Sequence, residues 1–124
     1  MKTKLLKSKK ISILLLAMVL IDSSFVLAST FTAVTSGNWS SSTTWGGSAP
    51  SYEISTDHVV IPVGINVTMD NSVTFSGGLS ELYVSGTLSS ASNTFLTINN
   101  AASITGVGTI NVDNIVLGVA ASGN

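Results

Sequence analysis

Beyond residue 28 the chain alternates apolar and polar positions with a period of two. The pairs are Val59 and Ile61, Ile65 and Val67, Val73 and Phe75, Leu82 and Val84, Leu96 and Ile98, Ile110 and Val112. Residues two apart share one face of an extended strand, whereas an amphipathic helix needs apolar residues three and four apart. The second spacing does not recur in this part of the chain, which therefore reads as all-β. Turn-forming pairs separate the runs: Gly77-Gly78, Ser85-Gly86, Asn99-Asn100 and Asp113-Asn114.

Three of the runs, LYVSG at 82–86, LTINN at 96–100 and INVDN at 110–114, begin fourteen residues apart. Their first column holds Leu82, Leu96 and Ile110 and their third Val84, Ile98 and Val112, all inward-facing and expected to form the core. Tyr83, Thr97 and Asn111 lie between them and point outward. The fifth column, Gly86, Asn100 and Asn114, collects the residue types that best tolerate a positive φ at a corner. Columns agreeing in chemistry over three copies indicate a stacked repeat that buries a shared interior. The fold expected is a parallel β-solenoid, with Asn100 over Asn114 as an amide ladder and with one copy amounting to only part of a turn. The alternative is an antiparallel β-sandwich, whose usual Asn-Gly or Asp-Gly hairpin signal is missing.

Charge divides the chain in two. All five lysines fall within the first ten residues, directly before the apolar run ISILLLAMVLI at 11–21, and VLA follows, ending at Ala28. A basic start, a short apolar run and small residues at its end are the layout of a signal peptide cleaved after Ala28. Eleven apolar residues are about half of the roughly 20 that a membrane-crossing helix needs, so no stable span is expected after cleavage. Residues 29–124 keep Glu53, Asp57, Asp70, Glu81 and Asp113 but no lysine or arginine, a formal charge of −5 with His58 neutral. Such a surface cannot neutralise phosphates, which excludes nucleic acid as a partner and weighs against anionic glycans and lipids. The chain has no cysteine, hence no disulfide framework, thiolate metal site or lipid-attachment cysteine. Serine and threonine supply 30 of these 96 residues, and the regular Val, Ile and Leu positions argue for folded structure over disorder.

The stretch from Trp39 to Asp70 differs in composition from the residues after it: it holds both tryptophans, both prolines (Pro50 and Pro62) and the one histidine. Trp39, Trp45, Gly46, Gly47, Pro50, Asp57, Val59, Ile61, Pro62, Gly64, Val67 and Asp70 form a pattern that resembles the opening of many long secreted and surface proteins of Bacteroidetes-type bacteria. More distantly it is similar to the extracellular domain defined by eight glycines in fibrocystin-like and hyaluronan-processing proteins. The resemblance covers about residues 37–86, and Thr56 stands where the pattern usually has glycine before the Asp. It implies a solenoid-like start of a larger exported protein, often adhesive or polysaccharide-associated, and transfers no catalytic residue to this chain.

Each candidate for chemistry meets a plainer reading. Trp39 and Trp45 are six apart and on an extended segment would share a face, a candidate stacking platform for a neutral sugar; the competing expectation is a cap over the open solenoid end. Asp57-His58 suggests part of a hydrolytic triad, but neighbours on a strand point to opposite faces and no Gly-x-Ser-x-Gly elbow accompanies them. Asp70 and Glu81 are the carboxylates to test for a glycosidase pair, while Asp113 reads as a turn residue. The GVGTIN stretch at 106–111 fits neither the calcium-binding nonapeptide, which needs Asp where Ile110 stands, nor a dinucleotide fingerprint. No catalytic, cofactor or metal residue is therefore assigned.

The organisation expected is a signal peptide at 1–28, a lead-in and cap at 29–57, and solenoid coils at 58–124 that are truncated. The function expected is a non-enzymatic structural or adhesive segment, secreted or on the cell surface, at the start of a larger bacterial protein. Its expected partners are neutral glycans or other surface proteins, with end-to-end self-association through the last coil. The alternative is the non-catalytic or carbohydrate-binding start of a polysaccharide-active enzyme. Binding to a glycan panel, with Trp39→Ala and Trp45→Ala variants, separates the two.

Overall fold

The structure, a computed structural model, describes residues 27–99 and 101–118. The chain forms β1 (Thr30–Thr32), β2 (Gly37–Asn38), β3 (Glu53–Ile54), β4 (His58–Ile61), β5 (Asn66–Met69), β6 (Val73–Phe75), β7 (Glu81–Val84), β8 (Thr87–Ser90), β9 (Phe95–Ile98), β10 (Ser103–Thr105), β11 (Thr109–Asn111) and β12 (Asn114–Leu117). Every third strand joins the same sheet. The orders are β1-β4-β7-β10, β2-β5-β8-β11 and β3-β6-β9-β12, and all neighbours run parallel. The molecule is a three-sided parallel β-solenoid of four coils.

Alternation decides which side chains go inside. Val59 and Ile61, Val67 and Met69, Val73 and Phe75, Leu82 and Val84, Leu88, Leu96 and Ile98 are all buried, while the residues between them face outward. Like stacks on like along the coils: Val59 on Leu82 on Ile104, Val67 on Leu88 on Ile110, Val73 on Leu96 on Ile115. Each such column removes apolar surface from water on both sides of every coil but the outermost ones, at roughly 25 cal/mol per Å² buried. Ile110 and Val112, in the last coil, are accordingly only partly buried against the core.

The fourteen-residue spacing proves to be two strands, not one coil. Leu82 lies in β7, Leu96 in β9 and Ile110 in β11, on three different sheets. From the second coil on, a residue's partner one coil further is 19 to 23 residues away, Leu96 to Ile115 and Val59 to Leu82 being the extremes. The columns expected from the fourteen-residue alignment therefore do not stack. Asn114 pairs with Phe95, not with Asn100, which lies outside the described residues.

The corners are also built differently from expectation. Positive φ occurs among the described residues at Gly46, Gly64, Gly106 and Asn93, not at Gly86 or Asn114. Gly86 is needed for room: a Cβ there would overlap the carbonyl oxygens of Pro62 and Ile65 in the coil alongside. At the equivalent corner one coil on, Gly106 needs both freedoms, with φ of 112° and no space against the Val84 carbonyl.

Residues 29–57, expected as a separate cap, already form a coil, since β1, β2 and β3 pair in register with β4, β5 and β6. The capping portion is narrower. It is the segment between β2 and β3, which folds back over the β1–β2 corner so that the Val34 N–H donates to the Thr44 carbonyl at 2.8 Å.

Candidate functional site

The tryptophans belong to that returning segment. Trp39 is fully buried and Trp45 is 7% exposed. Their rings meet edge to face at 5.3 Å between centroids, and Trp39 meets Phe75 of the second coil in the same manner at 6.5 Å. The Trp45 Nε1–H donates to the Trp39 carbonyl at 2.8 Å, and the Trp39 Nε1–H to the Ser51 carbonyl at 3.4 Å. Each indole thus has its apolar body packed and its single donor satisfied. Because 39–47 is a run of turns instead of a strand, residues six apart do not share an exposed face, and the expectation of a sugar-stacking platform at Trp39 and Trp45 is corrected. Both rings pack into the end of the stack, under strands that have no neighbour on their other edge. Asp70 secures the segment by accepting from the Ser40 N–H at 3.1 Å and from the Ser40 hydroxyl.

Asp57 and His58 go separate ways. An Asp57 Oδ1 accepts the Ser29 N–H at 2.8 Å, while His58 Nδ1 lies 3.3 Å from Glu81 Oε2 on the neighbouring strand. The other Glu81 oxygen accepts the Thr105 hydroxyl at 2.6 Å. His58, Glu81 and Thr105 form a polar chain across β4, β7 and β10 on the outer face of the first sheet, with the imidazole and carboxylate side chains 42% and 32% exposed. Glu81 is engaged there and Asp70 at the Ser40 clasp, so the two carboxylates are held by different partners and make no glycosidase pair. Asp113 acts at a corner, its Oδ2 accepting the Asn93 N–H at 3.3 Å. Among the described residues no three His, Cys, Asp or Glu side chains gather as metal ligands, and every buried side-chain polar atom has a partner.

The periodic reading of the sequence passed over one set of side chains. The triplets NVT at 66–68, TLS at 87–89 and TIN at 109–111 recur at 21 and 22 residues and place polar groups on both sides of an inward-facing apolar one. With Asn38 of the first coil their polar residues line the outer face of the second sheet. Their signal was the coil length, which the fourteen-residue spacing masked. Comparison of the chain with family models, curated proteins and solved structures gave no match, so its class rests on the fold alone: a parallel β-solenoid with an aromatic plug in its first coil.

Proposed function

We propose that this chain is a non-enzymatic, structural or adhesive β-solenoid segment, exported by its basic and apolar leader to the cell surface or medium, at the start of a larger bacterial surface protein. The observation that carries this reading is the geometry of the first coil. Strand β1 starts at Thr30, two residues beyond Ala28, and the Trp39/Trp45 segment closes the coil at that end. A stack finished on one side and preceded by exposed Leu27 and Ala28 suits a chain that begins folding once its leader is removed. Residues 29–124 carry five carboxylates and no lysine or arginine, which favours neutral glycans or other surface proteins as partners over nucleic acid. No helix among the described residues is long and apolar enough to cross a membrane. Coils that stack on one another also provide a route to end-to-end association between copies.

The test is export of the full chain, tagged at its C-terminus, from a bacterial host. The reading expects the product outside the cytoplasm with Ser29 as its first residue by N-terminal sequencing. An intact chain held in the cytoplasm overturns it.

A further inference from the structure

The two ends of the stack are finished differently. In the first coil Ala33, Trp39, Trp45 and Ile54 are buried although, among the described residues, no strand lies beyond them. Its edge strands β2 and β3 have two residues each, and the returning segment takes up the amides of the β1–β2 corner, the Val34 and Thr35 N–H groups both donating to the Thr44 carbonyl. Very short edges and a covering loop are devices that keep a sheet edge from pairing.

The last coil lacks these devices. Its inward positions Ile104, Ile110, Ile115 and Leu117 stand on Leu82, Leu88, Leu96 and Ile98, yet no residue from Ser103 to Gly118 is buried. Ile115 is 49% exposed and Leu117 71%. Strands β10, β11 and β12 have three, three and four residues, with no proline or charged residue in any of them. Each is the outermost strand of its sheet among the described residues, so the backbone groups it directs away from the stack meet no further strand there.

We propose that the end-to-end association of copies, on which this inference rests, stops at two, joined last coil to last coil. Three edges on three sheets, set around an apolar centre, are matched together by another three-sided coil; an extended peptide would pair with one edge and leave the centre in water. The chain offers such a coil at its open end, whereas the first coil is closed by the tryptophan segment. Head-to-tail stacking, which would propagate into a filament, is blocked at the closed end, and the remaining contact is isologous and closes on itself. A two-fold axis perpendicular to the solenoid axis reverses the sense in which the chain circles the stack. Each edge strand therefore meets the other copy antiparallel, with the apolar ends of the two interiors facing each other. Asp113 is the one charged residue between Ser103 and Gly118, so the contact brings few like charges together. A fifth coil in a longer chain would compete for the same edges, and the pair is one of the 124-residue chain.

The experiment measures the mass of the full chain by sedimentation at rising protein concentration, together with Leu117→Lys at the open end and Val34→Lys, also exposed, at the closed end. Folding of each is verified by circular dichroism, and amide exchange in β10 to β12 of the parent chain is followed over the same concentrations. The expected result is a doubling of mass and nothing larger for the parent and Val34→Lys, a monomer for Leu117→Lys, and exchange in β10 to β12 that slows as the parent dimerises while exchange in β4 to β6 does not. A monomeric parent overturns the proposal, as do species that keep growing with concentration, loss of the dimer in Val34→Lys, or exchange in β10 to β12 that ignores concentration. Association that survives Leu117→Lys overturns it too, because that variant keeps the apolar leader as an alternative point of contact. Export is read separately by N-terminal sequencing: an exported monomer refutes the pair alone, and a dimer of uncleaved chain refutes export alone.

Discussion

Replacing Trp39 by alanine tests whether the aromatic contacts hold the first coil closed. The side chain is fully buried and touches Trp45 and Phe75 edge to face. Truncating a buried tryptophan costs about 3–5 kcal/mol, within which the two ring contacts account for roughly 1–3 kcal/mol. Against a total stability of about 5–15 kcal/mol for a domain, that is a large loss. In a stack where each coil contacts only its neighbours, the loss is also local. Urea unfolding followed by circular dichroism gives the magnitude, and the emission of Trp45, the one indole left, reports its environment. The expected outcome is a destabilisation in that range, a red-shifted Trp45 emission, and faster amide exchange in β1 and β2 than in β9. A Trp39/Phe75 double-mutant cycle should yield a coupling of about 0.5–1.5 kcal/mol. A shift below about 1 kcal/mol with unchanged emission would refute the plug and mean that the first coil is held by its strand pairing alone.

Gly106→Ala should destabilise by about 1–3 kcal/mol in the same assay, since alanine must adopt a strained backbone there, whereas Gly47→Ala, with open space around its Cβ position, should stay within about 0.5 kcal/mol. Leu88→Ala, at a fully buried site between Val67 and Ile110, should cost about 2–5 kcal/mol by urea denaturation. Glu81→Gln removes the carboxylate beside His58, both side chains being substantially exposed, and should change stability by less than about 1 kcal/mol at any ionic strength; a larger change would give the His58, Glu81 and Thr105 chain a structural weight its exposure does not suggest.

The fold class was legible because alternation is local. Leu82 with Val84 and Leu96 with Ile98 announce strands with one buried face, and the structure buries them. The coil length was not legible from the same residues. Positions 82, 96 and 110 are evenly spaced because each step crosses two strands and two corners, and only the hydrogen-bonded register shows that Leu82 sits beside Ile104 instead. Tryptophan placement failed for a related reason: spacing six implies a shared face only on an extended backbone, and Ser40 through Gly47 turn repeatedly. The approach of His58 to Glu81 is a contact across strands 23 residues apart in sequence, which no local pattern encodes. Sequence order likewise scattered the seven hydroxyl and amide side chains on the outer face of the second sheet, which the parallel register brings together.

The hydrogen bond from the Ser29 nitrogen to Asp57 would change character if the chain were cut after Ala28, as the proposed export requires. In the uncut chain that nitrogen is a peptide amide, a neutral donor. Cleavage turns the same atom into an α-ammonium, already 2.8 Å from a carboxylate oxygen, so a neutral hydrogen bond becomes a charge-assisted one without any atom having to move far. Proteolysis at this point would fasten the new end of the chain to the start of β4, and the processed protein would hold its first strand more firmly than its precursor does.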